Sequence, residues 1–273
     1  MYLSCGGAPL QQVAQEANRQ MERIAGRVRV AAFHCLLERQ FALALQGRTV
    51  HRLSFSDEKY EEERDVGSIC ATSNYNQIGY YCVAKIRLNY YYGEYKAALR
   101  YAEQALPILP AFQCQVGEWE FVFYRALACL ARAQELGGPG QESLLRTAEE
   151  MLAKFEVWAR IGPSNFAHKR DLIRAELLRA RNERQPAAAA YEAAVISAAE
   201  SGFIHDEALA HERAALFFQA SHVAEKSRAH AQAAVTQYEK WEAWAKSAAV
   251  RATLLPPKVG GVSGKAASPG KPG

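Results

Sequence analysis

The sequence predicts an all-α chain, a right-handed solenoid of antiparallel helix pairs. Three observations predict it. Apolar residues recur at helical period in one segment after another, proline and glycine fall at the segment ends, and one small-residue pattern is repeated along the chain. Strand signals are weak: β-branched residues are scattered, and no alternating run ends in an Asn-Gly or Asp-Gly turn.

Helices are expected at roughly 8–24, 27–46, 58–72, 75–92, 94–108, 113–136, 142–160, 164–183, 186–201, 204–220, 223–242 and 243–254. Pro9, Pro107, Pro110, Pro139, Pro163 and Pro186 each lie near an end of such a segment, where a missing N–H is tolerated. Gly93, Gly137, Gly138, Gly162 and Gly202 fall just after segments, as C-terminal caps do. A charged insertion at about 51–65 interrupts the N-terminal half. Its run Ser56–Asp65 reads as a solvated loop leading into a first helical turn, where acids suit the dipole. Glu118–Leu136 is apolar nearly all round, through Phe121, Phe123, Tyr124, Leu127, Cys129, Leu130 and Ala131, so it must be covered on two sides. In Glu142–Arg160 the apolar positions Leu144, Ala148, Met151, Phe155 and Trp158 follow steps of 4, 3, 4 and 3, which is one stripe on a helix. Ala231, Ala234, Tyr238, Trp241 and Ala245 form a similar stripe near the end. The body is thus 1–255. The remaining 18 residues hold four prolines and five glycines, cannot form a core, and read as a disordered tail at 256–273.

Composition narrows the class. In 273 residues, 49% are hydrophobic and 23% charged, as in ordinary globular proteins. The tail carries three lysines and no acid, so of the net +4 only +1 belongs to the body, and basic residues there are interleaved with acids. No nucleic-acid partner is expected. The six cysteines, Cys5, Cys35, Cys70, Cys82, Cys114 and Cys129, have wide spacings and no Cys-x-x-Cys pair; they read as reduced, buried small hydrophobes. No apolar run approaches the ~20 residues a membrane span requires, and the start lacks a basic segment followed by an apolar one. The cytoplasm is the expected compartment, with no membrane partner.

Catalytic and ligand motifs fail on particular residues. Val259–Ala266 has the outline of a phosphate loop but Val and Ala at the positions that require Gly and Ser or Thr. His211-Glu212 opens a zinc-protease helix pattern, yet position 215 is Ala, so the second ligand is missing. There is no Gly-x-Ser-x-Gly elbow. The expectation is no enzyme, no cofactor and no metal. Tyr90, Tyr91 and Tyr92 stand out as a possible partner surface, because three consecutive helical residues point in three directions and tyrosine suits interfaces.

Self-similarity is the most specific signal. In Tyr92–Pro110, the Gly-Glu-Tyr turn with Ala98, Ala102, Ala105 and Pro110 matches tetratricopeptide positions. Ala187, Tyr191 and Ala194 repeat the 4-then-3 spacing; Ser227, Ala231 and Ala234 repeat it again, 40 residues on from Ala194 to Ala234. Antiparallel helices approach closely only where side chains are small, and one pair cannot bury its apolar face alone.

Five segments carry a more particular likeness: Pro163–Lys169, Ala175–Ala180, Ala187–Ala194, Ser201–Ala215 and Tyr238–Lys246, in that order. The set resembles the helical-repeat region of large multi-domain signalling kinases, which combine a Ser/Thr-kinase-like domain, an AAA/STAND-type ATPase, this region, a GAF sensor and a histidine kinase. Tyr80–Ala98 and Phe123–Leu127 look like the same region, so the resemblance spans roughly residues 40–250. Glu242 stands where that family usually has Gly in a Trp-Gly-Ala turn. The resemblance implies a non-catalytic regulatory or scaffolding module of a signal-transduction ATPase/kinase assembly, whose partners are proteins, peptides or neighbouring kinase and ATPase domains. None of the family's catalytic residues has a position here. The alternative is a free-standing adaptor that binds a peptide in its concave groove. Deleting 256–273 is expected to leave the melting temperature unchanged in a thermal denaturation; a large drop would show a docked tail.

Overall fold

A computed structural model describes residues 5–24, 29–71, 75–112 and 115–256. The tail from residue 257 onward lies outside them. The chain is all-helical, at 83% helix, and no strand occurs among the described residues. Twelve α-helices follow in order: α1 Leu10–Ile24, α2 Arg29–Gln46, α3 Glu62–Ala71, α4 Tyr75–Tyr91, α5 Tyr95–Ala105, α6 Val116–Glu135, α7 Pro139–Ile161, α8 Pro163–Ala180, α9 Arg184–Glu200, α10 Ile204–Ala220, α11 Ala224–Lys240 and α12 Trp244–Leu254. Most expected ends lie within a few residues of these. Pro107 and Pro110 stop α5 early, because neither can donate the helical hydrogen bond, and a 3₁₀ turn at Leu106–Phe112 takes over. Pro139 is the first residue of α7, so that helix starts three residues before the expected 142, and Gly140 lies inside its first turn.

Each helix packs on its chain neighbour from α4 to α12, as α1 does on α2. A second set of contacts skips one helix: α2 with α4, α4 with α6, α6 with α8, α8 with α10, α10 with α12. The even-numbered helices therefore form an inner layer. This explains two sequence patterns. Helix α6, apolar all round, is covered by α4, α5, α7 and α8. Outer helices α5, α9 and α11 bury single stripes, in which Ala98, Ala102, Ala105, Ala187, Ala194, Ala231 and Ala234 are at most 1% exposed.

The C-terminal half repeats one turn. Asn182, Gly202, His222 and Glu242 all have positive φ, spaced at intervals of 20, and the three helices they separate, α9, α10 and α11, have 17 residues each. At each, the residue's own N–H bonds three residues back and the next N–H bonds five residues back, as in Asn182 N to Arg179 O at 3.0 Å and Glu183 N to Leu178 O at 2.9 Å. These are Schellman caps, and Gly47 and Gly93 make the same pair of bonds. Of the expected glycine caps, Gly93 and Gly202 take this role. Gly138 has positive φ but precedes α7, and Gly162, at φ −138°, caps α7 by donating its N–H to Trp158 O at 2.8 Å and also precedes α8. At Glu242, where glycine would fit without steric cost, the carboxylate reaches across to accept Gln11 N at 2.7 Å.

That bond belongs to a closure. Helix α12 packs back on α2. Leu10 N donates to Trp241 O at 3.1 Å, and the buried Trp241 indole donates from Nε1 to Ala8 O at 3.1 Å. Gly47 lies so near that a Cβ added there would sit 3.1 Å from Ala245 Cβ. The inner layer thus joins end to end.

The insertion is less solvated than its charge run suggests. Glu62 is buried, accepts Phe55 N and Tyr81 Oη at 2.8 Å each, and pairs with Lys85 Nζ at 2.8 Å. Asp57 caps Lys59 N and Tyr60 N and pairs with Arg39 at 2.7 Å, while Glu58, Lys59, Glu61 and Glu63 do face solvent. Local charge density reads as exposed unless the fold supplies partners. Ala105→Trp or Ala194→Trp places an indole at a crossing with no room and should cost ~1–3 kcal/mol; urea denaturation of both variants reads that loss, and unchanged stability in both would remove these crossings from the account.

Candidate functional site

Charged side chains on the inner helices meet along their buried faces, one helix after another. Glu38 of α2 pairs with Arg87 of α4 at 3.6 Å, Arg87 with Glu120 of α6 at 3.2 Å, Glu120 with Lys169 of α8 at 3.4 Å, and Lys169 with Asp206 of α10 at 2.7 Å. His168 Nε2 adds a 2.9 Å hydrogen bond to Asp206. The Arg87 guanidinium lies 4.2 Å from the Phe41 ring centroid, and Lys169 Nζ 4.3 Å from that of Phe123. Burial opposes ionisation of Asp206, yet His205, Lys169 and the His168 bond together hold its carboxyl well below the usual carboxylate range. Burial likewise opposes the Lys169 charge, and Asp206 and Glu120 restore it.

A second buried pair joins α8 to α10. Arg213 grips Glu176 bidentately, Nε to Oε1 at 2.8 Å and Nη2 to Oε2 at 2.9 Å. Tyr191 Oη donates to the same carboxylate at 2.6 Å and Gln134 Nε2 at 3.1 Å. Against the cost of burial, Arg213, Arg179 and the Tyr191 bond push the Glu176 carboxyl down to about 2.

Arg213 also forms the wall of a pocket of about 180 Å³ between α4, α5, α10 and α12. Its polar lining includes Tyr90, Tyr92, Tyr95, Glu212, Arg213 and Lys246, with Arg52 at the mouth. Arg213 Nη1 donates to Tyr95 Oη at 2.7 Å. Lys246 is buried, donates to Tyr91 O and to Glu212 Oε1 at 2.6 Å, and is pushed below the usual lysine value by burial. Glu212 also accepts Tyr238 Oη at 2.7 Å. The Tyr90 hydroxyl is buried and has no hydrogen-bond partner.

The sequence-derived residues fall into two groups. Ala98, Ala102, Ala105, Ala187, Tyr191, Ala194, Ala231 and Ala234 all sit inside helix crossings, while Pro110 is exposed in the 3₁₀ turn. Tyr90 and Tyr91 are 3% and 2% exposed, so of the three tyrosines only Tyr92 reaches the surface, at the pocket mouth. Sequence reasoning missed Arg213, Lys246 and Glu212. Their one local signal is a charge inside an otherwise apolar or small-residue stretch, as Arg213 stands among Ala210, Ala214 and Ala215. Among the described residues no group of three His, Cys, Asp or Glu side chains is arranged to hold a metal, and no helix is long and apolar enough to cross a membrane. No protein-family model matches the chain, and no curated protein matches it.

Two histidines set a pH response. Burial pushes His205 down to about 4; burial and the facing His230, 2.9 Å away between Nδ1 atoms, do the same to His211. Their carboxylate neighbours are Asp206 for His205 and Glu207 for His211, with Glu192 on His230. Both histidines take up protons near pH 6.5 when unfolded and only near 4 when folded, so stability falls as pH drops through that window. Between pH 7 and 5 carboxylates stay ionised in both states, and the expected loss is on the order of 2 kcal/mol for each histidine. Urea denaturation across this range reads the slope, and His211→Gln should flatten it; a level profile in the parent protein would contradict the assignment.

Proposed function

We propose that the chain is a non-catalytic regulatory or scaffolding module of a signal-transduction ATPase/kinase assembly, a tetratricopeptide-like array of helix pairs that closes on itself where α12 meets α2, instead of the open right-handed solenoid expected from the sequence, and that it acts through protein–protein or interdomain contacts. The observation that carries this reading is the repeated unit: helices of 17 residues, caps at 182, 202, 222 and 242, and alanine stripes at matching places. Such a unit buries its face only against its neighbours, which is the physics of repeat scaffolds. The ordered likeness of Pro163–Lys246 to the repeat region of signalling kinases supports the choice of partner.

The inner layer bears on the mode of action. Its charges are engaged with one another and with aromatic faces, where a groove-binding adaptor would hold a peptide. Contacts with other domains then fall to the outer helices and their ends, where Ile161, Ile196 and Val223 are exposed. Affinity purification of the full chain from the cells that encode it should recover an ATPase or histidine-kinase polypeptide. Recovery of a soluble partner with no such polypeptide would favour the adaptor reading.

A further inference from the structure

We propose that the pocket between α4, α10 and α12 binds a small organic monocarboxylate with an apolar body. The argument starts from hydrogens. Tyr90 carries a buried hydroxyl with no partner. Tyr95 Oη accepts Arg213 Nη1, which turns its own hydrogen away from the guanidinium. Lys246 has three hydrogens, and its acceptors are Tyr91 O and Glu212 Oε1. Glu212, the acid of the lining, is already engaged by Lys246 and Tyr238. Hydrogens of Tyr90, Tyr95 and Lys246 therefore lack acceptors, and a group that accepts several of them at once complements the site.

Charge points the same way. Arg52, Arg213 and Lys246 line the cavity against Glu212. Glu176 balances Arg213 from behind, and Glu94 stands 3.6 Å from the exposed Arg52. The three cations are matched by three carboxylates, but the Arg52–Glu94 pair is exposed and screened by solvent, so Arg52 remains open to a single negative charge, while the fixed Glu212 carboxylate repels a dianion such as phosphate. Leu209, Leu216, Ala249, Val250 and Leu254 give the pocket a hydrocarbon wall, and the Thr253 hydroxyl beside them donates to Ala249 O. A cavity of ~150 Å³ holds a benzene ring, so about 180 Å³ admits one ring or a short branched chain with its carboxylate at the tyrosine end. Buried phenol donors around a site also discriminate sharply, because a ligand without an acceptor leaves them unpaired.

This goes beyond the signalling reading and stands or falls separately, since it is read on the purified chain without any kinase or ATPase. Isothermal titration of the full chain with benzoate, phenylacetate, isovalerate, benzamide and inorganic phosphate is the test. At least one carboxylate should bind at one site, benzamide and phosphate much more weakly. Tyr90→Phe removes an orphaned hydroxyl, so it should keep or raise the melting temperature while weakening the carboxylate about tenfold. Arg52→Gln, at an exposed position, should weaken it too. No binding of any carboxylate at millimolar concentration, equal binding of benzamide, binding of phosphate alone, or full affinity in both variants would overturn the proposal.

Discussion

A charge taken out of water must be answered by another charge, and the inner layer of this fold is arranged around that constraint. Glu38, Arg87, Glu120, Lys169 and Asp206 alternate in sign from α2 to α10, each from a different helix. Apolar contacts between helices tolerate small slides; ion pairs of about 3 Å do not. The alternation adds little net stability, because desolvation offsets most of the Coulomb gain. What it adds is register: a helix displaced by one turn leaves two buried charges unanswered, at a cost of several kcal/mol.

The outer layer solves a different problem with different residues. Its helices need to come close, and Ala98, Ala102, Ala105, Ala187, Ala194, Ala231 and Ala234 permit that. The caps then set where each helix stops, so that every alanine stripe meets the next helix at the same height. Small crossings and fixed lengths make the unit repeatable; the ionic inner face makes each copy distinct, since Arg213–Glu176 cannot be exchanged for Lys169–Asp206 without breaking both.

Legibility in the sequence divides along the same line. Helix periods, proline stops and alanine stripes are local, and they located the twelve helices of the described residues. The ion chain is not local: its members lie 33 to 49 residues apart, and a lone charge such as Glu120 or Arg87 carries no mark of its partner. Caps at Asn182, His222 and Glu242 escaped because the rule for positive φ looks for glycine, while here the surroundings hold other residues in that conformation. Tyr90 and Tyr91 suggested a surface because tyrosine is amphipathic, and only the packing of α4 against α6 and α10 decides that they are interior.

The seam where α12 meets α2 combines these features in the weakest part of the array. Helix α12 buries Lys246, Ser247 and Val250, which is little apolar surface for a helix of 11 residues. Its hold therefore rests on directed bonds. The flanking turn is tied by Trp241 to Ala8 and Leu10 and by Glu242 to Gln11, and Lys246 is tied to the C-terminal end of α4 through Tyr91 O. The same Lys246 lines the tyrosine pocket, so the group that closes the inner layer is also the group a ligand there would meet. A buried lysine shared between a carbonyl, a carboxylate and an open cavity is a poor way to gain stability and a good way to make one helix's position depend on what surrounds its ammonium group.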